Sequence, residues 1–457
     1  LRWNHLFSEK LFANFTGIYS NYNYALGFDQ DAFGFEWTSR IENTSVKADF
    51  TYFANPNNKI EFGLHNIYYY FSPGQAEAFF EVGDALDTFN FRVRPIPAVE
   101  SAIYLSNEQK IGTRLSLAYG VRYSGFAQLG AGWVFKYPND QPINPENPTS
   151  TVNPIDTVHY EEGEIVKGYH GIEPRFSANF QIDEFSSVKG GYNRMRQYIH
   201  LISNTTAATP VDIYMPAGEY IRPAIVDQVG IGYFRNFFSN TYESSVEVYY
   251  KRFQDLVDYK DDAELLLNNA LETELYRGDG QAYGAEFQIK RKRGKFTGWI
   301  SYTLSRVETQ VDQINNGDPY PSNWDKTHDV SIVMSYDFTK RINVSTNFAY
   351  MTGRPITYPE GRFQYGQITA PVYSGRNGGR TPAYHRLDVA GTFVLLDPKK
   401  SKNFALDLAT GVYNVYGRKN PYSIFFRQDE DNPQVTRAFR LAIYAIPIPY
   451  VTFNFKF

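Results

Sequence analysis

The 457-residue chain contains no cysteine, which excludes disulfides, thiolate metal sites and cysteine nucleophiles. It also has no run of 18 apolar residues, so no transmembrane helix is expected. A basic-then-apolar leader is missing too, and the chain opens on Leu1, within LRWNHLFSEK. Any signal peptide is therefore expected to be removed or to lie outside this sequence. Neither charge dominates, with Lys+Arg 45 against Asp+Glu 49. Nucleic acid, which needs a concentrated basic surface, is not an expected partner.

Catalytic signatures are equally scarce. GxSxG does not occur, and none of the seven His pairs at HExxH spacing. His328 and His385, beside Asp329 and Asp388, read as ordinary polar residues near strand ends. The glycines of GDGQAYG (278–284) lack the GK[ST] ending and the helix that a phosphate loop requires. On a strand, such glycines serve bulges or close backbone packing. No segment proposes a Ser/His/Asp cluster, so the expectation is no enzyme, no cofactor and no metal site.

What is present is aromatic: 37 Tyr and 36 Phe, at a mean hydropathy of −0.44. A chain rich in aromatics yet polar on average fits strands that show lipid on one side and water on the other. Alternation with period two supports this. Tyr242, Val246, Val248 and Tyr250 oppose Glu243, Glu247 and Lys251; Phe296, Ile300, Tyr302 and Leu304 oppose Thr297, Ser301 and Thr303. The C-terminal YVTFNFKF sets Val451, Phe453, Phe455 and Phe457 against Thr452, Asn454 and Lys456. From Tyr242 to Tyr250 is roughly 27 Å at about 3.4 Å per residue. Tilted at about 40°, that gives roughly 21 Å of height, close to an apolar band of about 25 Å between aromatic girdles. A soluble sandwich would use shorter strands and an inner face of Leu and Ile.

The connections alternate short and long. ANPNNK, SNEQK, DEFSS, FFSNT, KRGK, FTKR and DPKKSKN are tight turns; GQAEAFFEVGDALD, NDQPINPENPTSTVNPIDTV, LLLNNALETELYRGDG and EGRFQYGQITAPVYSGRNGG are long polar stretches. The expected fold is an all-β, antiparallel up-and-down transmembrane β-barrel of about 16 strands. Short turns and the C-terminus are expected in the periplasm, and even parity places Leu1 there too. The run Lys290, Arg291, Lys292, Arg293 and Lys295, with Lys399, Lys400 and Lys402, falls at short turns and suits phospholipid headgroups at that rim. Acidic groups such as Asp261, Asp262 and Glu264, or Asp429, Glu430 and Asp431, read as solvated loops.

The stretches IEPRFSANFQI, SSVKGGYNRMRQYIHLISN, GDGQAYGAEFQIKRKRGKFTGWISYTLSR, AYMTGRPITYP, YHRLDVAGTF, NVYGRKNPYSIFF and IPYVTFNFKF, in this order, resemble the barrel of TonB-dependent receptors of the Bacteroidetes type. The resemblance implies the C-terminal portion (1–457) of a 22-stranded outer-membrane barrel. It implies upstream strands, a plug domain and a TonB-contacting segment outside this sequence. It implies energy-coupled uptake of a scarce siderophore, glycan, peptide or cobalamin. In such a barrel the last strand, through Tyr450, Phe453, Phe455 and Phe457, resembles the signal read by the insertion machinery, and the first strand covers its edge. Loop tyrosines Tyr214, Tyr220, Tyr320, Tyr365 and Tyr373 are candidate ligand contacts or loop anchors. Implied partners are outer-membrane lipid and lipopolysaccharide, the insertion machinery, TonB, and a surface lipoprotein lid. Two other readings stay open: a passive 16-stranded porin, with 131–164 long enough to narrow the lumen, and a structural barrel subunit of an outer-membrane complex.

Overall fold

A computed structural model describes residues 1–30, 33–82, 85–202, 213–261, 263–366, 368–373, 375–396, 404–429, 432 and 435–456. Its largest sheet has nineteen strands. Two of these, Ala85–Arg92 and Tyr320–Pro321, pair only with the upper ends of longer strands. The other seventeen form a continuous antiparallel meander. They are β1 (Arg2–Ser8), β2 (Leu11–Gln30), β3 (Phe33–Asn55), β4 (Asn58–Val82), β5 (Ile96–Ile111) and β6 (Leu115–Leu129). Next come β7 (Ile165–Gln181), β8 (Ser186–Gln197), β9 (Ala224–Phe237), β10 (Tyr242–Tyr259), β11 (Leu275–Arg291) and β12 (Phe296–Gln310). The last five are β13 (His328–Thr339), β14 (Ile342–Met351), β15 (Tyr384–Leu396), β16 (Ala405–Tyr413) and β17 (Ile448–Lys456).

Each strand pairs with the next, from β1 with β2 to β16 with β17, and among the described residues no ladder joins β17 to β1. β1 is therefore not the strand that covers the edge of β17. Seventeen strands rather than sixteen also reverse one expectation. β1 runs toward the short-turn end, and Leu1 bonds to the backbone of Gly17, partway up β2. Leu1 thus lies away from the short-turn end. The expected polar loop GQAEAFFEVGDALD also proves to be β-structure: β4 continues through it to Val82 and pairs with Ala85–Arg92.

Register brings the apolar parities into unbroken rows, because a two-residue period keeps one face on one side. Val246 faces Tyr233 and Phe287 on its two neighbours; Val248 faces Ile231 and Ala285; Tyr250 faces Val229 and Tyr283. The row continues through Phe287 to Tyr302 and on to Val330. Val229, Ile231, Val246, Val248, Tyr283 and Phe287 are all exposed, so the outward face is a belt of large apolar side chains. The other parity is polar: Glu247 lies opposite Glu286, and Lys251 opposite Gln228. The GDGQAYG segment is strand, not phosphate loop. Gly280 faces Phe253 where β10 bulges at Asp255 (φ 55°), and a Cβ there would meet the Glu308 carbonyl at 2.8 Å. Glycine allows that close approach.

A positive charge placed on the outward face in mid-belt would have no water and no partner. Val248→Arg is expected to destabilise the folded protein by about 2–4 kcal/mol in liposomes, whereas Glu247→Gln, one residue away on the polar face, changes little. Urea titration of the reconstituted protein measures both.

Candidate functional site

The long connections leave one end of the sheet, and several of their described stretches pack into a common layer. Trp37 on β3 and Phe71 on β4 are fully buried, in one cluster with Ile202, Ile213, Met215, Ile221, Leu265, Leu271 and Leu275. The hairpin of Ile199–Ile202 and Ile213–Pro216 supplies four of these residues or their neighbours, and the stretch 265–275 supplies three more. Spaced leucines in LLLNNALETEL therefore close a core against the inside of β3 and β4, driven by removal of apolar surface from water.

Polar contacts tie further loops into this layer. The segment after β6 forms a hairpin, Gly132–Lys136 with Asp156–Tyr160, and its tip crosses toward β10 and β11. Tyr137, 1% exposed, donates to Glu272 Oε1 at 2.9 Å; Lys260 Nζ donates to the Ser150 carbonyl at 3.2 Å; and Tyr276 donates to the Pro148 carbonyl at 3.1 Å. Burial pushes the Glu272 carboxyl above its usual range, opposed by a backbone hydrogen bond, the Tyr137 hydroxyl and Arg94. Nearby His200 is buried and its Nε2 has no hydrogen-bond partner among the described residues. Burial lowers its pKa to about 4, so the imidazole is neutral.

A second knot centres on Arg376, 6% exposed by side chain. Its guanidinium donates to Asp258 at 2.9 Å, to Asp261 at 2.7 Å and to the Tyr259 carbonyl at 3.1 Å, and lies 4.3 Å over the Tyr259 ring. Burial works against its charge, but Asp258, Tyr259 and Asp261 more than offset that and hold it above its usual range. Asn315 accepts from the Arg376 backbone at 2.7 Å. Arg380 pairs with fully buried Asp325, which also accepts from Val307 N at 2.6 Å. The stretch 375–380 is thereby pinned across to the top of β10 and to the loop after β12.

The five candidate tyrosines fall in three places. Tyr214 and Tyr220 lie on one segment: Tyr214 meets Tyr22 edge-on at 6.3 Å, while Tyr220 donates to the Phe135 carbonyl at 3.0 Å and packs edge-on to Tyr137. Burial, then Asp140 and Glu219, push the Tyr220 hydroxyl up to about 12. Tyr320 is 2% exposed, packed with Val311 and Ile314, and donates to Asp258. Tyr373 is exposed on the hairpin of Pro359–Tyr365 with Ile368–Tyr373. Tyr365 lies on that hairpin too, but its side chain is outside the described residues. His328 and His385 sit at the long-loop ends of their strands, each 2.9 Å from a tyrosine hydroxyl, Tyr302 and Tyr416.

At the opposite end, the polar face of β3–β10 encloses an open cavity of about 960 Å³. Asn58, Lys59, Gln109, Asn179, Lys189, Tyr192, Asn193 and Glu247 line it. On β17, Val451, Phe453 and Phe455 are exposed on the outward face, while Tyr450 points the other way, stacked on Tyr413 at 4.7 Å. Phe457, Lys399, Lys400, Lys402, Asp262, Glu430 and Asp431 lie outside the described residues.

The family described as TonB dependent receptor-like, beta-barrel, matches residues 1–415. The chain belongs to that family. Its fold is also similar to solved receptors. The pyoverdine outer membrane receptor FpvA from Pseudomonas aeruginosa has TM-score 0.61 and 12% identity, with 99% of this chain and 60% of that one covered. The ferric yersiniabactin uptake receptor FyuA from Yersinia pestis has TM-score 0.61 and 10% identity, with 99% and 59% covered. BauA, the ferric preacinetobactin receptor from Acinetobacter baumannii, has TM-score 0.58 and 12% identity, with 100% and 61% covered. At these identities the likeness is one of fold. This receptor-family barrel thus spans about three fifths of the length of each. No curated protein matches the sequence. Members of the family are outer-membrane β-barrels, and the exposed apolar belt is the surface such a barrel turns to lipid.

Sequence reasoning missed Arg376, Asp258, Glu272 and Tyr137, which hold the loop layer together. Arg376→Ala would leave half-buried Asp258 without its cation. It is expected to lower the local opening free energy of 375–380 and 258–261 by about 3 kcal/mol, read as faster amide hydrogen exchange there, with the strands of the wall unchanged.

Proposed function

We propose that this barrel is the wall of an outer-membrane TonB-dependent receptor of the Bacteroidetes type, which takes up a scarce ligand by energy-coupled transport. The match of residues 1–415 to the family carries this reading. The native chain, on this reading, also holds upstream strands that complete the wall, a plug inside it and a segment that contacts TonB. The edges of β1 and β17 that have no ladder among the described residues, and the share of the solved receptors' length that is covered, support those additions.

Short turns and the C-terminus face the periplasm in this arrangement, so the loop layer faces outward and meets the ligand first. Tyr373 and the Tyr214–Tyr220 segment are the candidate contacts of that layer, while Tyr320 acts as an anchor through Asp258. The solved neighbours are named as receptors for pyoverdine, ferric yersiniabactin and ferric preacinetobactin, and ferric siderophores are therefore the first class to test. Glycans, peptides and cobalamin follow. β17 serves as the mark read by the insertion machinery, and outer-membrane lipid and lipopolysaccharide surround the belt. A surface lipoprotein is a further proposed partner. No catalytic role is proposed.

Uptake of labelled ligand by cells carrying the full-length protein tests this directly. Loss of TonB, or collapse of the proton-motive force, is expected to abolish uptake while surface binding of the ligand persists. Uptake that continues unchanged identifies a passive pore, and neither binding nor uptake identifies a structural barrel. The intact mass of the protein from outer membranes is expected to exceed the 52.5 kDa of this sequence; a chain of that mass contradicts the proposed plug.

A further inference from the structure

We propose that the outward face at the short-turn rim of β9–β12 is a binding site for the phosphodiester headgroup of an anionic glycerophospholipid, built on Arg235 and Arg291. The inference rests on the reading of the apolar belt as membrane-embedded. Both arginines stand on the lipid-facing parity, in line with Ile231 and Tyr233 on one strand and with Phe287 and Ile289 on the other.

Each guanidinium lies over aromatic rings, and the acid within electrostatic reach of Arg235, Asp183 on the adjoining turn, forms no ion pair with it. Arg291 lies 5.4 Å over Tyr242, its cross-strand partner, and 5.8 Å over Phe296; its Nε donates to the Arg293 carbonyl at 3.2 Å. Arg235 lies 5.3 Å over Phe237, which faces Tyr242 across the ladder, and donates to the Tyr233 hydroxyl at 3.3 Å. Among the described residues neither forms an ion pair with a carboxylate, whereas Lys292, on the polar face, is neutralised by Glu243. A cation fixed on ring faces keeps its remaining N–H donors free for an oxyanion.

The setting selects a lipid rather than a soluble anion. Phe238 in the turn after β9, Phe296 on β12 and Tyr336 and Phe338 on β13 are exposed aromatics at the same rim, so the arginines sit where hydrocarbon meets headgroup. Behind them the neighbouring turns add Arg293, Lys295, Lys340 and Arg341. The turn between β7 and β8 carries Asp183 and Glu184 instead, so the cationic surface is an arc and not a uniform rim.

Full-length protein in nanodiscs of phosphatidylcholine containing phosphatidylglycerol tests the site, with retained lipid counted by native mass spectrometry. The wild type is expected to retain phosphatidylglycerol in preference to phosphatidylcholine, and Arg235→Gln/Arg291→Gln to reduce that preference roughly tenfold. Arg235→Lys/Arg291→Lys is expected to keep most of it. Folding of every variant is checked by heat-modifiable gel mobility. Equal retention by wild type and the Gln variant overturns the site, as does displacement of the lipid by millimolar inorganic phosphate, which assigns it to a free anion. Failure of the wild type to insert into any nanodisc overturns the membrane reading itself.

Discussion

Inside a bilayer no water is available to backbone N–H and C=O groups, so each must be paired within the protein. The long meander meets that demand by ladder bonds from β1 to β17, and everything else in the molecule follows from it. Once the ladder is fixed, the two-residue period leaves only the choice of which face meets lipid. Exposed rows such as Val229–Tyr250–Tyr283 and Ile231–Val248–Ala285 make that choice. The same requirement explains why the sheet edges matter: among the described residues β1 covers only the lower part of β2, and β17 has a partner on one side only. In hydrocarbon an open strand edge is costly, which is the physical ground for the upstream strands proposed above.

The strands were legible because lipid on one side and water on the other write themselves into every second residue. Tyr242 to Tyr250, Phe296 to Leu304 and Val330 to Phe338 are strands with the faces that their alternation implies. The strand count came out one short, and Leu1 consequently at the wrong end. β1, RWNHLFS, is seven residues against neighbours of twenty and more, and a short strand contributes few alternations to read. GQAEAFFEVGDALD looks polar because that hairpin rises above the belt, where neither face needs to suit lipid.

The loop layer was much less legible. Arg376 meets Asp258 across 118 positions, and Tyr137 meets Glu272 across 135. Such pairs have no local period, and a single Arg in SGRNGG looks like a solvated loop residue. Tyr320 illustrates the same point from the other side: its type suggested a ligand contact or an anchor, and only its burial beside Asp258 distinguishes these uses. A hint existed in LLLNNALETEL, whose leucines are too many for a solvated loop.

Lipid covers the outward parity of these strands and water the inward one. Single spin labels at positions 246, 247 and 248, in the reconstituted full-length protein, measure that by their accessibility to oxygen and to a water-soluble nickel chelate. The account predicts that labels at 246 and 248 meet oxygen and exclude nickel, while the label at 247 does the reverse. Equal access of nickel to all three positions would contradict it.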